Sequence, residues 1–197
     1  VSDKTREHVL EVIKELGYTP DVLGRNLRVS KTNCILVILP DMANTFYGEV
    51  IRGIDDIAVK NGYMTMISTT RSILDIENKY VSQLFNHSFD GMILASTEQS
   101  ADDLSINSKR APMVMCCEMK DGARISAVTI NNRKAQFDAV EHLIRCGHRK
   151  IALITSVYSY SSNERTKGYF DALSRYNIPV NENYIISTSA NLSPNSR

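Results

Sequence analysis

Hydroxyl, amide and aromatic side chains recur at set places in this chain, each time directly after a short apolar run. Those places are Asp41 to Tyr47, Thr69 to Ser72, Ser96 to Glu98, Cys117 to Glu118, Asn131-Asn132 and Ser156 to Arg165, with Glu118 and Arg165 as isolated charges. Side chains of this kind exchange hydrogen bonds with a polar ligand and offer its ring a stacking face, so they suit a neutral sugar or nucleoside. A second cluster is basic. Arg25, Arg28 and Lys31 form an acid-free window, with Asn26 and Ser30 as further hydrogen-bond donors to phosphate. The net charge of the whole chain is only +1, so any contact with DNA must be local to that window.

Other chemistries lack their residues. No G-x-G-x-x-G and no Walker-type lysine loop occurs, which argues against dinucleotide and nucleoside triphosphate binding. No Gly-x-Ser-x-Gly elbow occurs, and no acid, base and nucleophile constellation stands out, so the chain does not read as an enzyme. His8, His87, His142 and His148 have no metal-ligand spacing, and Cys34, Cys116, Cys117 and Cys146 include no C-x-x-C. Neither a metal nor a cofactor is expected. The cysteines read as small buried hydrophobes, with adjacent Cys116 and Cys117 pointing to opposite sides of a strand.

The elements that must position these groups follow from the apolar pattern. With 197 residues, 43% of them hydrophobic, there is enough apolar surface for a buried core in one large or two small domains. Runs such as Ile35 to Pro40 are far below the roughly 18 residues of a membrane span, and the start is charged and helical, which reads as cytoplasmic. Cys34 to Leu39 is a continuous apolar run ended by Pro40-Asp41, as in a parallel strand covered on both faces. Tyr47 to Asn61 reads as a helix with Val50, Ile54, Ile57 and Ala58 on one face. A strand from Tyr63 to Ser68 and a helix marked by Ile76, Tyr80, Leu84 and Phe85 come next. Further strands are expected at Met92 to Ala95, Met113 to Cys116, Ile125 to Ile130, Ile151 to Thr155 and Tyr184 to Ser187. Helices from Arg133 to Cys146 and from Asn163 to Tyr176 separate the last three. This is the α/β order of doubly wound parallel sheets, which bind ligands outside the carboxyl ends of their strands.

An amphipathic helix precedes this body. Ser2 is a good N-cap, Val9, Val12, Ile13 and Leu16 make one apolar stripe, and Gly17 supplies a stop. The stripe needs a partner: either the helix lies on the body, or helices that pack against it lie outside this chain. The second is the expectation.

Several segments resemble LacI/GalR-type repressors and occur in the order of that family. They are Val1-Ser2-Asp3-Lys4-Thr5-Arg6, Gly17-Tyr18-Thr19-Pro20, Ile35-Leu36-Val37-Ile38, Asp90-Gly91-Met92 and Gly147-His148-Arg149-Lys150-Ile151-Ala152. Pro40-Asp41, Phe46 to Ile54 and Pro112 to Met115 look closest to the cytidine repressor branch. The resemblance implies a periplasmic-binding-protein-like fold of two lobes, preceded by an N-terminal helix and a hinge helix. Residues 1–33 would be the remnant of a helix-turn-helix domain plus hinge. Residues 34–130 would form the N-terminal effector-binding subdomain, and 131–197 the start of the C-terminal one. Against the family pattern the chain looks like a fragment lacking both ends.

The same resemblance implies roles. Residues 20–28 match the hinge helix, and Leu27 matches the leucine that paired hinges wedge between base steps in the minor groove, with Arg25, Asn26 and Arg28 on the DNA. Gly24 disfavours helix by about 0.8–1 kcal/mol relative to alanine, so hinge ordering would couple to DNA binding. Phe46 and Tyr47 match an aromatic pair that stacks on the ligand, Arg165 the cleft arginine, and Glu118 a ligand-contacting position. The implied protein is a cytoplasmic homodimeric repressor whose small-molecule effector, a nucleoside or sugar, sets its affinity for operator DNA by closing two lobes. The alternative is a solute-binding protein for sugar or nucleoside transport, which shares the two-lobed fold.

Overall fold

The computed structural model describes residues 2–17, 31–156 and 159–188, and the chain divides into two units, residues 1–32 and 33–197. In the first unit, helix α1 spans Asp3–Glu15. The Ser2 hydroxyl accepts from the Thr5 amide at 3.4 Å, and Asp3 and Lys14 suit the positive and negative ends of the helix dipole. Gly17, at φ +58°, takes the left-handed conformation that ends it. No residue of α1 is buried, and Val9 and Leu16 of the apolar stripe are exposed. The hinge residues Arg25, Asn26, Leu27 and Arg28 lie outside the described residues.

The second unit alternates strands and helices. Its elements are β1 (Cys34–Leu39), α2 (Phe46–Lys60), β2 (Met64–Thr69), α3 (Leu74–Phe85), β3 (Gly91–Leu94), α4 (Ala101–Arg110), β4 (Met113–Cys116) and β5 (Ser126–Val128), followed by α5 (Asn132–Arg145), β6 (Leu153–Ser156), α6 (Tyr160–Arg175) and β7 (Ile185–Thr188). A five-stranded sheet has the order β2-β1-β3-β4-β5, and β6 pairs with β7 in a second sheet. Every pairing is parallel, as the doubly wound expectation requires.

Strand β1 is the spine of the first sheet because its run is apolar at both parities. Leu36 and Ile38 pack with Val81, Leu84 and Leu104 on one face. Val37 and Leu39 face the other way, where Tyr47, Ile51 and Ile54 of α2 cover them. The register sets Val37 between Ile67 of β2 and Ile93 of β3. Since β2 lies on one side of β1 and β3 on the other, the chain reverses direction across the sheet there. Such a switch point leaves a crevice at the carboxyl ends of the two strands.

The second sheet rests on a core of Val140, Ile144, Ile151, Leu153, Tyr169, Ala172 and Leu173, with the Tyr169 hydroxyl donating to the Ile151 carbonyl at 2.8 Å. Helices α5 and α6 approach closely at Gly168, where a Cβ would stand 2.1 Å from the Arg133 carbonyl oxygen. Among the described residues no helix is long and apolar enough to cross a membrane.

Three differences from the sequence reading have local causes. Helix α4 has no apolar stripe, only Leu104 being buried, and is secured by Ser100, whose hydroxyl accepts from the Asp103 amide at 3.1 Å. Helix α6 begins at Tyr160 instead of Asn163 because Ser159 caps it, accepting from the Ser162 amide at 3.2 Å. Cys116 and Cys117 do not point to opposite sides. Strand β4 ends at Cys116, Cys117 turns to φ +69°, and the two sulfurs come within 3.6 Å.

Candidate effector cleft

A cavity of about 550 Å³ opens at the crevice just described. Pro40 after β1 and Ser96, Thr97 and Glu98 after β3 line it from the switch point, and Met115 and Glu118 line it from β4. Ser156 at the end of β6 and Ser159, Tyr160, Ser162 and Asn163 at the start of α6 face it from the second sheet, and Tyr47 enters from α2. The lining is rich in hydroxyls. Its charged groups are the carboxylates Glu98, Glu118 and Asp121 against the single amine of Lys120, a balance that disfavours an anionic ligand.

Tyr47 is half-buried, and its hydroxyl is pushed up to about 12, by burial first and then by Cys117, Glu118 and Cys116. At neutral pH it is therefore an uncharged phenol able to donate. Phe46 and Tyr47 meet edge to face, ring centroids 5.3 Å apart, at the start of α2. Glu118 reaches from the loop after β4 to the start of α6. Its carboxylate accepts from the Ser161 amide at 3.1 Å and, in a short hydrogen bond, from the Ser161 hydroxyl. The bonded amide belongs to the first turn of α6, where the helix dipole favours an anion. This contact joins the two sides of the cavity.

A carboxylate further inside shapes one wall. Glu77 of α3 is fully buried and accepts from the Thr97 hydroxyl, from the Glu98 amide at 2.9 Å and from Gln99 Nε2 at 2.7 Å. Gln99, also fully buried, accepts in turn from Asn107 Nδ2 at 2.7 Å. A buried carboxylate persists only when its acceptor sites are filled, and here the filling groups are the loop that carries Thr97 and Glu98 into the cavity.

Comparison with known proteins gives this geometry its setting. Residues 32–194 match the family described as periplasmic binding proteins and sugar binding domain of LacI family. The chain belongs to this family. It is 35% identical to catabolite control protein A of Priestia megaterium over 191 residues, 94% of this chain and 57% of the relative. It is also 35% identical to the HTH-type transcriptional repressor CytR of Escherichia coli over 188 residues, 94% of this chain and 55% of the relative. A solved structure, the transcriptional regulator CelR-cellobiose complex, superposes with a TM-score of 0.69 at 26% identity, covering 95% of this chain and 57% of that one. The chain thus spans a little over half the length of the relatives it matches.

Of the four effector-contacting residues expected in this LacI-family chain, Tyr47 and Glu118 line the cavity. Phe46 touches Tyr47 but is 56% exposed and is not among the lining residues. Arg165 is on α6, where its Nε donates to Asn132 Oδ1 at 2.9 Å, and it too is outside the lining. Asn132 is buried at the start of α5, so this bond ties the first turn of α5 to the second turn of α6. Sequence reasoning passed over Glu77. Its signal was available: Glu77, Val81 and Leu84 occupy one helical face, and all three are buried.

Proposed function

We propose that this chain carries the effector-binding part of a DNA-binding transcriptional repressor whose ligand is a neutral polyhydroxylated molecule, a sugar or a nucleoside. The observation that carries this reading is the hydroxyl-lined cavity at the switch point, bounded by elements of both sheets. The names of the relatives as a catabolite control protein and a transcriptional repressor support a role at DNA over solute transport or catalysis. The cellobiose named for the CelR structure supports a sugar as ligand.

In this reading Phe46 and Tyr47 offer ring faces to the ligand and Arg165 donates to its hydroxyls. Glu118 accepts from a ligand hydroxyl when it releases Ser161, so ligand and inter-sheet contact compete for one carboxylate. Residues 34–130 and 131–197 act as two lobes whose relative position differs between liganded and free protein, and residues 1–33 belong to the DNA-binding part and hinge. Arg25 and Asn26 bind the operator backbone, Arg28 sits by the minor-groove wall or phosphates, and Leu27 wedges between base steps. Two hinges on one operator require a homodimer, and Ile57 and Val59 of α2 with Met64 and Met66 of the edge strand β2 are exposed apolar side chains that support a subunit contact. The protein works in the cytoplasm, where operator DNA is.

The test is an electrophoretic mobility titration of the intact protein on its operator. Leu27→Ala should weaken operator binding at least tenfold, about 1.4 kcal/mol, and leave effector affinity unchanged. Wild-type operator affinity in that variant would reject the hinge role.

A further inference from the structure

Cys116 and Cys117 are neighbours in sequence whose sulfurs stand 3.6 Å apart on the same side of the chain, both half-buried and neither in a disulfide. An extended dipeptide would separate them. The left-handed turn at Cys117, φ +69°, brings them together, while the Cys117 amide still donates to the Val128 carbonyl at 2.9 Å and so fixes the turn against β5. A non-glycine residue in this conformation is uncommon, and here it is held by the sheet.

The pair flanks the cleft: Met115 on one side and Glu118 on the other both line the cavity, and the Tyr47 hydroxyl is near enough to feel both thiols. Two convergent thiols can be bridged by one soft atom. Zinc is the wrong partner, because it takes four ligands and no three histidine, cysteine, aspartate or glutamate side chains among the described residues form a group that could hold a metal ion. Oxidation is disfavoured too. The sulfurs stand 3.6 Å apart, well beyond the roughly 2.05 Å of a disulfide, so closing that bond would require the turn at Cys117 to shift, whereas a bridging atom would not.

We propose that Cys116 and Cys117 form a dithiol site that captures a trivalent organoarsenical, or an equivalent thiophilic species needing two protein sulfurs, at the edge of the effector cleft. The reaction balances without a redox step. The oxide R–As=O loses its oxygen, arsenic forms one bond to each sulfur, and the two thiol protons leave with the oxygen as water. An adduct there adds bulk beside Tyr47 and Glu118, giving the protein a covalent input separate from its diffusible ligand.

The test uses phenylarsine oxide on the reduced protein, read by intact mass and by titration of the thiols that remain free. One adduct per chain should form with loss of two thiols, persist in excess β-mercaptoethanol and be stripped by dithiothreitol. Bridging makes the second bond intramolecular, so Cys116→Ser and Cys117→Ser should each bind about 10²-fold to 10⁴-fold more weakly. Cys34→Ser and Cys146→Ser should bind like the wild type. Far-ultraviolet circular dichroism and thermal melts check that each variant is folded; should one of the first two unfold, the other carries the comparison. An adduct that β-mercaptoethanol removes, or one retained in the folded single-thiol variants, overturns the proposal.

Discussion

At the scale of the residue, the cleft is set by where protons and charges are held. Tyr47 and Cys117 both have raised values of about 12, burial being the first cause in each, against ordinary values of 10.0 and 9.0. A group held protonated in the fold stabilises it fully below its unfolded value, and that contribution is lost as pH rises toward the folded value. Unfolding titrations should therefore show stability falling from about pH 9 toward pH 12, Cys117 acting first and Tyr47 joining above about pH 10. Tyr47→Phe and Cys117→Ser should each flatten that fall. An alkaline limb equally steep in both variants would assign the loss to other groups. Tyr47 and Glu118 were legible in the sequence because each follows a run that reads as a strand, and a switch-point cleft collects such residues. The short bond from Ser161 to Glu118 was not, since it spans 43 residues and depends on how the two sheets face each other.

At the scale of the element, two contacts carry the architecture of the site. Glu77 of α3 holds the loop after β3 by three hydrogen bonds. Glu77→Gln keeps the shape but sets a donor against donors, and should cost about 1–3 kcal/mol in urea unfolding. Amide hydrogen exchange from Thr97 to Gln99 should speed up in parallel, and unchanged exchange in that loop would deny Glu77 its positioning role. Gly168 lets α6 pass close to α5. In Gly168→Ala a methyl group meets the Arg133 carbonyl, so the helices must move apart, at about 1–3 kcal/mol. An unaltered denaturation midpoint would contradict that contact. Elements with a strong apolar rhythm were legible: β1 because all six of its residues are apolar, α2 because a stripe runs along its length. Helix α4 was not, because a ten-residue helix with one buried side chain has no rhythm to read, although its acidic first turn and basic last turn fit the helix dipole. Strand β5 is three residues long at the sheet edge, shorter than Ile125 to Ile130 suggests, since Ile130 is exposed instead of paired.

At the scale of the whole molecule, two parallel sheets lie about a cavity across which Glu118 bonds to the start of α6, and the chain's family membership fits that arrangement. Under the proposed function, a ligand that replaced the Glu118–Ser161 contact with its own hydroxyls would change how the two sides of the cavity are coupled. A regulatory ligand needs that property, because only a difference in affinity between two arrangements can shift their populations. The most direct measurement is a calorimetric titration of the chain against pentoses, hexoses, disaccharides and nucleosides, repeated with Tyr47→Ala. The cleft predicts that at least one of these binds with one site per chain, and that Tyr47→Ala weakens it by about tenfold or more, about 1.4 kcal/mol. No binding from any member of the panel, or an affinity unchanged by Tyr47→Ala, would contradict a neutral polyhydroxylated ligand seated at the switch point.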